Sequence, residues 1–191
     1  MALVVEDGTG LEDSNSYATV EEFVEYFTDR GDAAAIAATE ADITAGLILA
    51  TDYIDKRFGA RFIGEMAVTE ANDFEYDQSL EYPRYDSPNA AWDYDDDTGT
   101  GVIPRTLKYA CIEYANRARP SLTAPLAPDP AVDASGVAMV TTMQKAGPVE
   151  QRFATAAGSS NAATVNILRS YPAADMYLKD LLIPGGGRTY R

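Results

Sequence analysis

Three carboxylates at alternate positions, Asp93, Asp95 and Asp97, are the chain's one metal-like pattern. Oxygen ligands at every second residue are how a calcium loop begins. The pattern then stops: Thr98 stands where an EF-hand loop needs glycine, and no glutamate fills the twelfth position. Without that bidentate ligand a calcium site would be weak, and a solvated acidic loop competes with it. Acid pairs such as Glu75 and Asp77 could in principle serve a glycosidase or a metal-dependent hydrolase, but an acidic loop supplies such pairs by chance. Ser159 and Ser160 lack both a strand-to-helix elbow and a histidine to activate them. Gly99-Thr-Gly101 and Gly185-Gly-Gly187 carry no Walker lysine and follow no strand, so turn and linker explain them better than a phosphate cradle.

The chain has no histidine and one cysteine, Cys111. The commonest general base and the commonest transition-metal ligand are therefore missing, and structural zinc and an intrachain disulfide are excluded. The expectation is a protein without enzymatic activity and without cofactors. Arg105, Lys108, Arg117 and Arg119 share one predicted helix with tyrosines nearby. Tyrosine can stack a base and arginine can hold a phosphate. The competing reading pairs these cations with acids of the same chain or a neighbour.

Charge bears on that choice. The net charge is −15, with −19 carried by residues 1–97 and +4 by residues 98–191. An acidic surface repels DNA phosphates, and the split suggests two surfaces with different roles. No apolar run reaches the roughly 18 residues of a membrane span, and the first residues lack the basic and apolar regions of a signal peptide. These features predict a chain that folds in the cytoplasm where it is made.

The elements that must position these residues read as mainly α. Thr19-Val-Glu-Glu22 has the form of a capping box, followed by Val20, Phe23, Val24 and Phe27 on one face, Tyr26 at its edge, and Gly31 as the stop. A second helix is predicted from about Thr39 to Phe58, with Ile43, Leu47, Ala50 and Ile54 inward, Lys56-Arg57 in its last turn and Gly59 ending it; Ile36 falls in a preceding turn. Residues 60–101 lack helical periodicity but hold many aromatics, which predicts an ordered acidic loop insertion packed by its rings. A third helix opens at Ile103-Pro104, with Pro104 at N1, a stripe of Leu107, Cys111, Tyr114 and Ala118, and Pro120 as its stop. Residues 120–136 read as a proline linker, and 137–155 as a β-hairpin turning at Ala146-Gly-Pro148. A last helix is predicted over 163–170 or 172–182, broken at Pro172. The expected architecture is a small helical bundle with an inserted β-hairpin and extended N- and C-terminal arms. Residues 1–183 would form a single domain and 184–191 a flexible arm.

Several short segments carry a resemblance. Leu3-Val-Val-Glu-Asp-Gly-Thr-Gly-Leu11 and Asn15-Ser-Tyr17, then Ala50-Thr-Asp-Tyr-Ile-Asp55, Leu80-Glu-Tyr-Pro-Arg84, Ile103-Pro104 and Lys145-Ala-Gly-Pro-Val149 follow one another in order. Together they resemble small tailed-bacteriophage proteins labelled DnaT-like single-stranded-DNA-binding proteins, which are similar to head–tail connector (adaptor) subunits. The chain departs from them in its acidic insertion around 86–101 and its Gly-rich tail.

The resemblance implies a structural virion protein of the neck, assembled in the host cytoplasm. It implies a ring of copies, commonly twelve, beneath a portal protein and joined to a downstream tail or nozzle protein. Double-stranded DNA would pass through the channel without sequence-specific binding, and no membrane is involved. Candidate partner contacts are Ile183, Pro184, Arg188, Tyr190 and Arg191 of the tail, with Lys145, Gly147 and Pro148 of the hairpin. The alternative is a replication accessory that binds single-stranded DNA.

Overall fold

The structure is a computed structural model and describes residues 2–67, 78–95, 97–122, 126, 143–146, 149–152 and 171–183. The fold is mainly α with a β-hairpin. Among the described residues its helices are α1 (Val20–Thr28), α2 (Ala33–Ile36), α3 (Glu40–Phe58), α4 (Arg105–Ala118) and α5 (Pro172–Leu178). The chain divides into two compact units, residues 1–126 with 170–191, and residues 127–169.

The first unit is built on α3 packed along α4, with α1 and α5 against them. Helix α1 starts as its sequence dictates. Thr19 Oγ1 accepts from Glu22 N at 3.1 Å while Glu22 Oε2 accepts from Thr19 N at 2.9 Å, so two otherwise unpaired donors are satisfied. Its Phe23 and Phe27 are buried, and Tyr26 joins them at the edge of that face. Gly31 adopts the left-handed φ of +67° that closes the helix. Thr39 caps α3 by accepting from Asp42 N at 3.2 Å, and Ile43, Leu47, Ala50 and Ile54 form its inward stripe. The core continues through Leu107, Cys111 and Tyr114 of α4 and Ala174, Leu178 and Leu181 near the chain's end.

Of three helix boundaries, one differs from the sequence expectation and two hold. Gly59 is the C-cap that ends α3 at Phe58; it is right-handed at φ −47° and leads into a 3₁₀ turn over Gly59–Arg61. A Cβ there would lie 2.5 Å from Glu81 Oε1, the tip of a side chain that can turn away. Pro104 is the N-cap of α4 and not its first helical residue, because its ψ of 134° is extended. Pro120 follows the cap Arg119 and opens another 3₁₀ turn, Pro120–Leu122.

The segment predicted as an ordered acidic loop is organised by short pairings in its described parts. Strand β1 (Glu65–Met66) pairs antiparallel with β2 (Arg84–Tyr85). Phe62 and Tyr82 are buried edge to face at 5.2 Å, and Tyr85 meets Tyr94 at 5.4 Å, while Glu65, Asp86, Asp95 and Asp97 face solvent. The side chain of Arg84 is only 8% exposed; it donates to the carbonyls of Ile63, Gly64 and Glu81 and pairs with Glu81 Oε2 at 2.7 Å.

The N-terminal residues lie against the bundle. The carboxylate of Glu6, 1% exposed, accepts from the backbone N–H groups of Gly8, Gly10 and Leu11 and from Ser14 Oγ. Gly101 N then donates to Gly8 O at 2.6 Å, which ties this loop to the approach to α4. At the other end α5 begins with Pro172 at its first turn. Ile63 N donates to Leu181 O and Ile183 N to Arg61 O, so the last described residues pair with the segment after α3.

In the second unit β3 (Met143–Ala146) pairs antiparallel with β4 (Val149–Arg152), Lys145 opposite Glu150 and Ala146 opposite Val149. Of the predicted 137–155 hairpin, residues 143–146 and 149–152 are described, and the rest lies outside the described residues. The proline linker beyond Leu126, the helix expected over 163–170 and the arm 184–191 lie outside the described residues.

Candidate nucleic-acid interface

Burying Phe23 and Phe27 turns the opposite flank of α1 outward, where Glu22, Glu25 and Asp29 follow at spacings of three and four. Burying Leu107, Cys111 and Tyr114 likewise leaves Arg105, Lys108 and Tyr109 on the flank of α4. The two flanks enclose an open cleft of about 290 Å³, lined by these residues with Tyr26, Arg30 and Ile112.

Its floor is aromatic. The rings of Tyr26 and Tyr109 meet edge-on at 4.9 Å, and Tyr109 meets Tyr177 of α5 at 5.5 Å. Tyr26 Oη donates to Glu113 Oε1 at 2.8 Å and lies 3.1 Å from Tyr177 Oη. Burial, followed by these hydroxyl and carboxylate neighbours, pushes the Tyr26 phenol far above its ordinary range, so it stays neutral.

Two guanidinium groups flank this floor. Arg30 sits 3.4 Å above the Tyr26 ring centroid and 5.5 Å from that of Tyr109, and donates to Tyr26 O at 2.9 Å. Arg105 lies 4.9 Å over Tyr109 and donates to its Oη at 2.5 Å. Neither arginine has an ion pair with a carboxylate among the described residues. The third cation, Lys108, does: its Nζ is 2.7 Å from Glu22 Oε1. Stacked guanidinium and phenol faces can take a base, and arginine N–H groups can take a phosphate oxygen.

The other helix cations are committed elsewhere. Arg117 pairs with Glu113 at 2.9 Å on its own helix. Arg119 is buried, 3.6 Å from Asp42 and hydrogen-bonded to Asn116. Lys108 and Arg119 thus pair with the acidic half of the chain, as the competing reading of this helix anticipates, whereas Arg105 is left to the cleft. Arg30 escaped the sequence reading. Its signal was present as two cation–aromatic pairs at i,i+4, Tyr26/Arg30 and Arg105/Tyr109, but nothing local says that the two helices meet.

The other candidates have plainer roles. Asp93 Oδ1 accepts from Ser87 N at 2.6 Å. Asp95 accepts from Asp97 N at 3.0 Å and Thr98 Oγ1 at 3.1 Å, so these carboxylates stabilise their own turns. Among the described residues no cluster of three His, Cys, Asp or Glu side chains could hold a metal ion. Cys111 is buried near the Thr51 hydroxyl, and burial pushes its thiol up to about 12, which makes it a poor nucleophile at neutral pH. Of the proposed partner contacts, Ile183 is 46% exposed and Lys145 belongs to the second unit. Pro184, Arg188, Tyr190, Arg191, Gly147 and Pro148 lie outside the described residues.

One buried carboxyl stands apart from the cleft. Asp55 of α3 accepts from Tyr17 Oη at 2.7 Å and from Glu81 N at 3.3 Å. Burial raises its pKa to about 7, against the lowering effect of those hydrogen bonds.

Fold and cleft together define a small helical protein with an aromatic surface cleft lined by three cations and three carboxylates. The chain matches, over residues 1–191, the family described as "Putative DnaT-like ssDNA binding protein", and it belongs to that family. No curated protein and no solved structure matches it.

Proposed function

We propose that this chain is a single-stranded-DNA-binding accessory protein that binds through the Tyr109 cleft and carries out no bond chemistry itself. The observation that carries the reading is the Arg30–Tyr26–Tyr109–Arg105 stack, two guanidinium groups without carboxylate partners among the described residues flanking tyrosine rings at the floor of an open cleft. The family description points the same way. With a chain charge of −15, affinity must come from stacking more than from counterion release. Two arginines contacting two phosphates give a log–log salt slope of only about −1.4. Fluorescence anisotropy with a labelled oligothymidylate tests this. Tyr109→Ala should weaken binding by about tenfold or more, the range of one lost base stack. No binding at low salt, or an Arg30→Ala/Arg105→Ala variant that binds like the wild type, rejects the reading.

The charge distribution favours a second reading. Residues 1–97 carry −19, a surface suited to letting duplex DNA slide past without sticking. On this reading the chain is a head–tail adaptor of the virion neck, ringed with copies of itself between a portal protein and a tail or nozzle protein. Negative-stain imaging of the chain co-expressed with its portal should then reveal a ring on the portal. Portal particles that carry no added ring reject it.

A further inference from the structure

The cleft holds three cations, but only two are available. Lys108 Nζ is occupied by Glu22 Oε1 at 2.7 Å, and Glu22 holds Thr19 N through its other oxygen, Oε2, at 2.9 Å. Both partners are partly solvent-exposed, at 28% for the Lys108 side chain and 35% for that of Glu22. The Glu22 carboxylate therefore lies where an incoming phosphate oxygen would meet Lys108. The capping box keeps it there, because the same side chain fixes the start of α1. Glu25 and Asp29 line the same wall, but neither is paired with a cation among the described residues.

We propose that Glu22 is an internal competitor for the phosphate subsite at Lys108, so that the capping residue of α1 sets how strongly the cleft holds a nucleic-acid backbone. The proposal rests on the single-stranded-DNA reading of the cleft. In the resting protein Lys108 is neutralised from within, and the ligand is held by the stacked arginines and tyrosines. A phosphate reaches Lys108 only by displacing Glu22 Oε1, which leaves Oε2 on Thr19 N. Glu22 is thus a positioning and affinity-setting residue, and the competition predicts the salt dependence of two cations rather than three.

Glu22→Gln separates the two roles. Glutamine serves a capping box as glutamate does, so helix α1 is kept, and only the competing charge is lost. Binding of a labelled oligothymidylate is measured against salt for the wild type, E22Q, E25Q and K108A, and for E22Q/K108A, with far-UV circular dichroism confirming the fold. E22Q should bind up to about fivefold tighter at low salt, the scale of one partly exposed ion pair. Its salt slope should steepen by about 0.7, the increment for one more phosphate on a single strand. The gain should vanish in the Lys108→Ala background, and Glu25→Gln should leave the slope unchanged. If the wild type binds but E22Q matches E25Q in affinity and slope, the competitor role is wrong and the cleft reading stands. If E22Q binds where the wild type does not, Glu22 blocks Lys108 outright: the competitor role stands, and the reading of the wild-type chain as a single-stranded-DNA binder falls. If neither retains the oligonucleotide at low salt, both fall.

Discussion

Replacing Asp55 with asparagine tests the physics of the bundle's most perturbed carboxyl. The group is held by Tyr17 of the N-terminal segment and the backbone of Glu81. It is faced by the charged groups of Asp52 on its own helix and Glu81 on the loop, and it adds to the upward shift of Cys111 on α4. Glu81 is itself paired with Arg84, which leaves little positive charge for Asp55. Burial lifts its pKa from 3.8 to about 7. A shift of about 3 units at 1.36 kcal/mol each corresponds to about 4 kcal/mol between the two protonation states. Because the folded protein binds this proton more tightly than the unfolded chain, the stabilising contribution is fully present below about pH 4 and is lost as pH rises through about 7. Asparagine keeps an acceptor for the Tyr17 hydroxyl and never ionises. Its amide cannot accept from Glu81 N, a loss of about 1 kcal/mol. The variant should therefore be about as stable as the wild type at pH 4.5 and about 3 kcal/mol more stable at pH 8. Urea unfolding followed by circular dichroism at half-unit pH steps measures the difference directly, and subtracting the two curves cancels the titration of the other acids. A difference that stays flat across this window would show that Asp55 ionises normally and that its burial does not matter.

Three further outcomes follow from the packing. Glu6→Ala removes the acceptor of three backbone N–H groups and the Ser14 hydroxyl, and should cost about 3–5 kcal/mol in urea unfolding, with Glu6→Gln intermediate. Arg84→Met strands the carbonyls of Ile63, Gly64 and Glu81 together with the Glu81 carboxylate, and should lower stability by about 3–5 kcal/mol, whereas an exposed Lys56→Met should change it by less than about 1 kcal/mol. Replacing residues 127–169 with a Gly-Ser linker should leave one cooperative unfolding transition and unchanged Tyr109-dependent binding. The described lining of the cleft belongs to the first unit, where the Tyr171 hydroxyl donates to Leu126 O at 3.0 Å, just outside the two cut ends. Loss of cooperative unfolding would show that the first unit is not self-sufficient.

The helices were legible because their causes are local. The box Thr19–Glu22, the stripe Ile43–Leu47–Ala50–Ile54 and the stripe Leu107–Cys111–Tyr114–Ala118 each lie within a few turns of chain, and burial selects the face that periodicity marks. The punctuation was less legible. Gly59 and Pro104 have sequence roles that suit several backbone conformations: Gly59 stays right-handed and Pro104 is extended ahead of α4. Glu6 read as one acid in a turn, since nothing within the turn says that its carboxylate is buried.

The sequence alone therefore determined where helices form, that histidine and zinc chemistry are excluded, and that negative charge is concentrated in the first half. Only the tertiary structure decided which of the arginines and lysines stay available. Lys108 meets Glu22 from 86 residues away, Arg119 meets Asp42, and Arg30 comes to rest above Tyr26 beside Tyr109. Local propensity acts over a few residues, but a binding surface depends on which side chains distant helices bring together and on which of their charges are already neutralised.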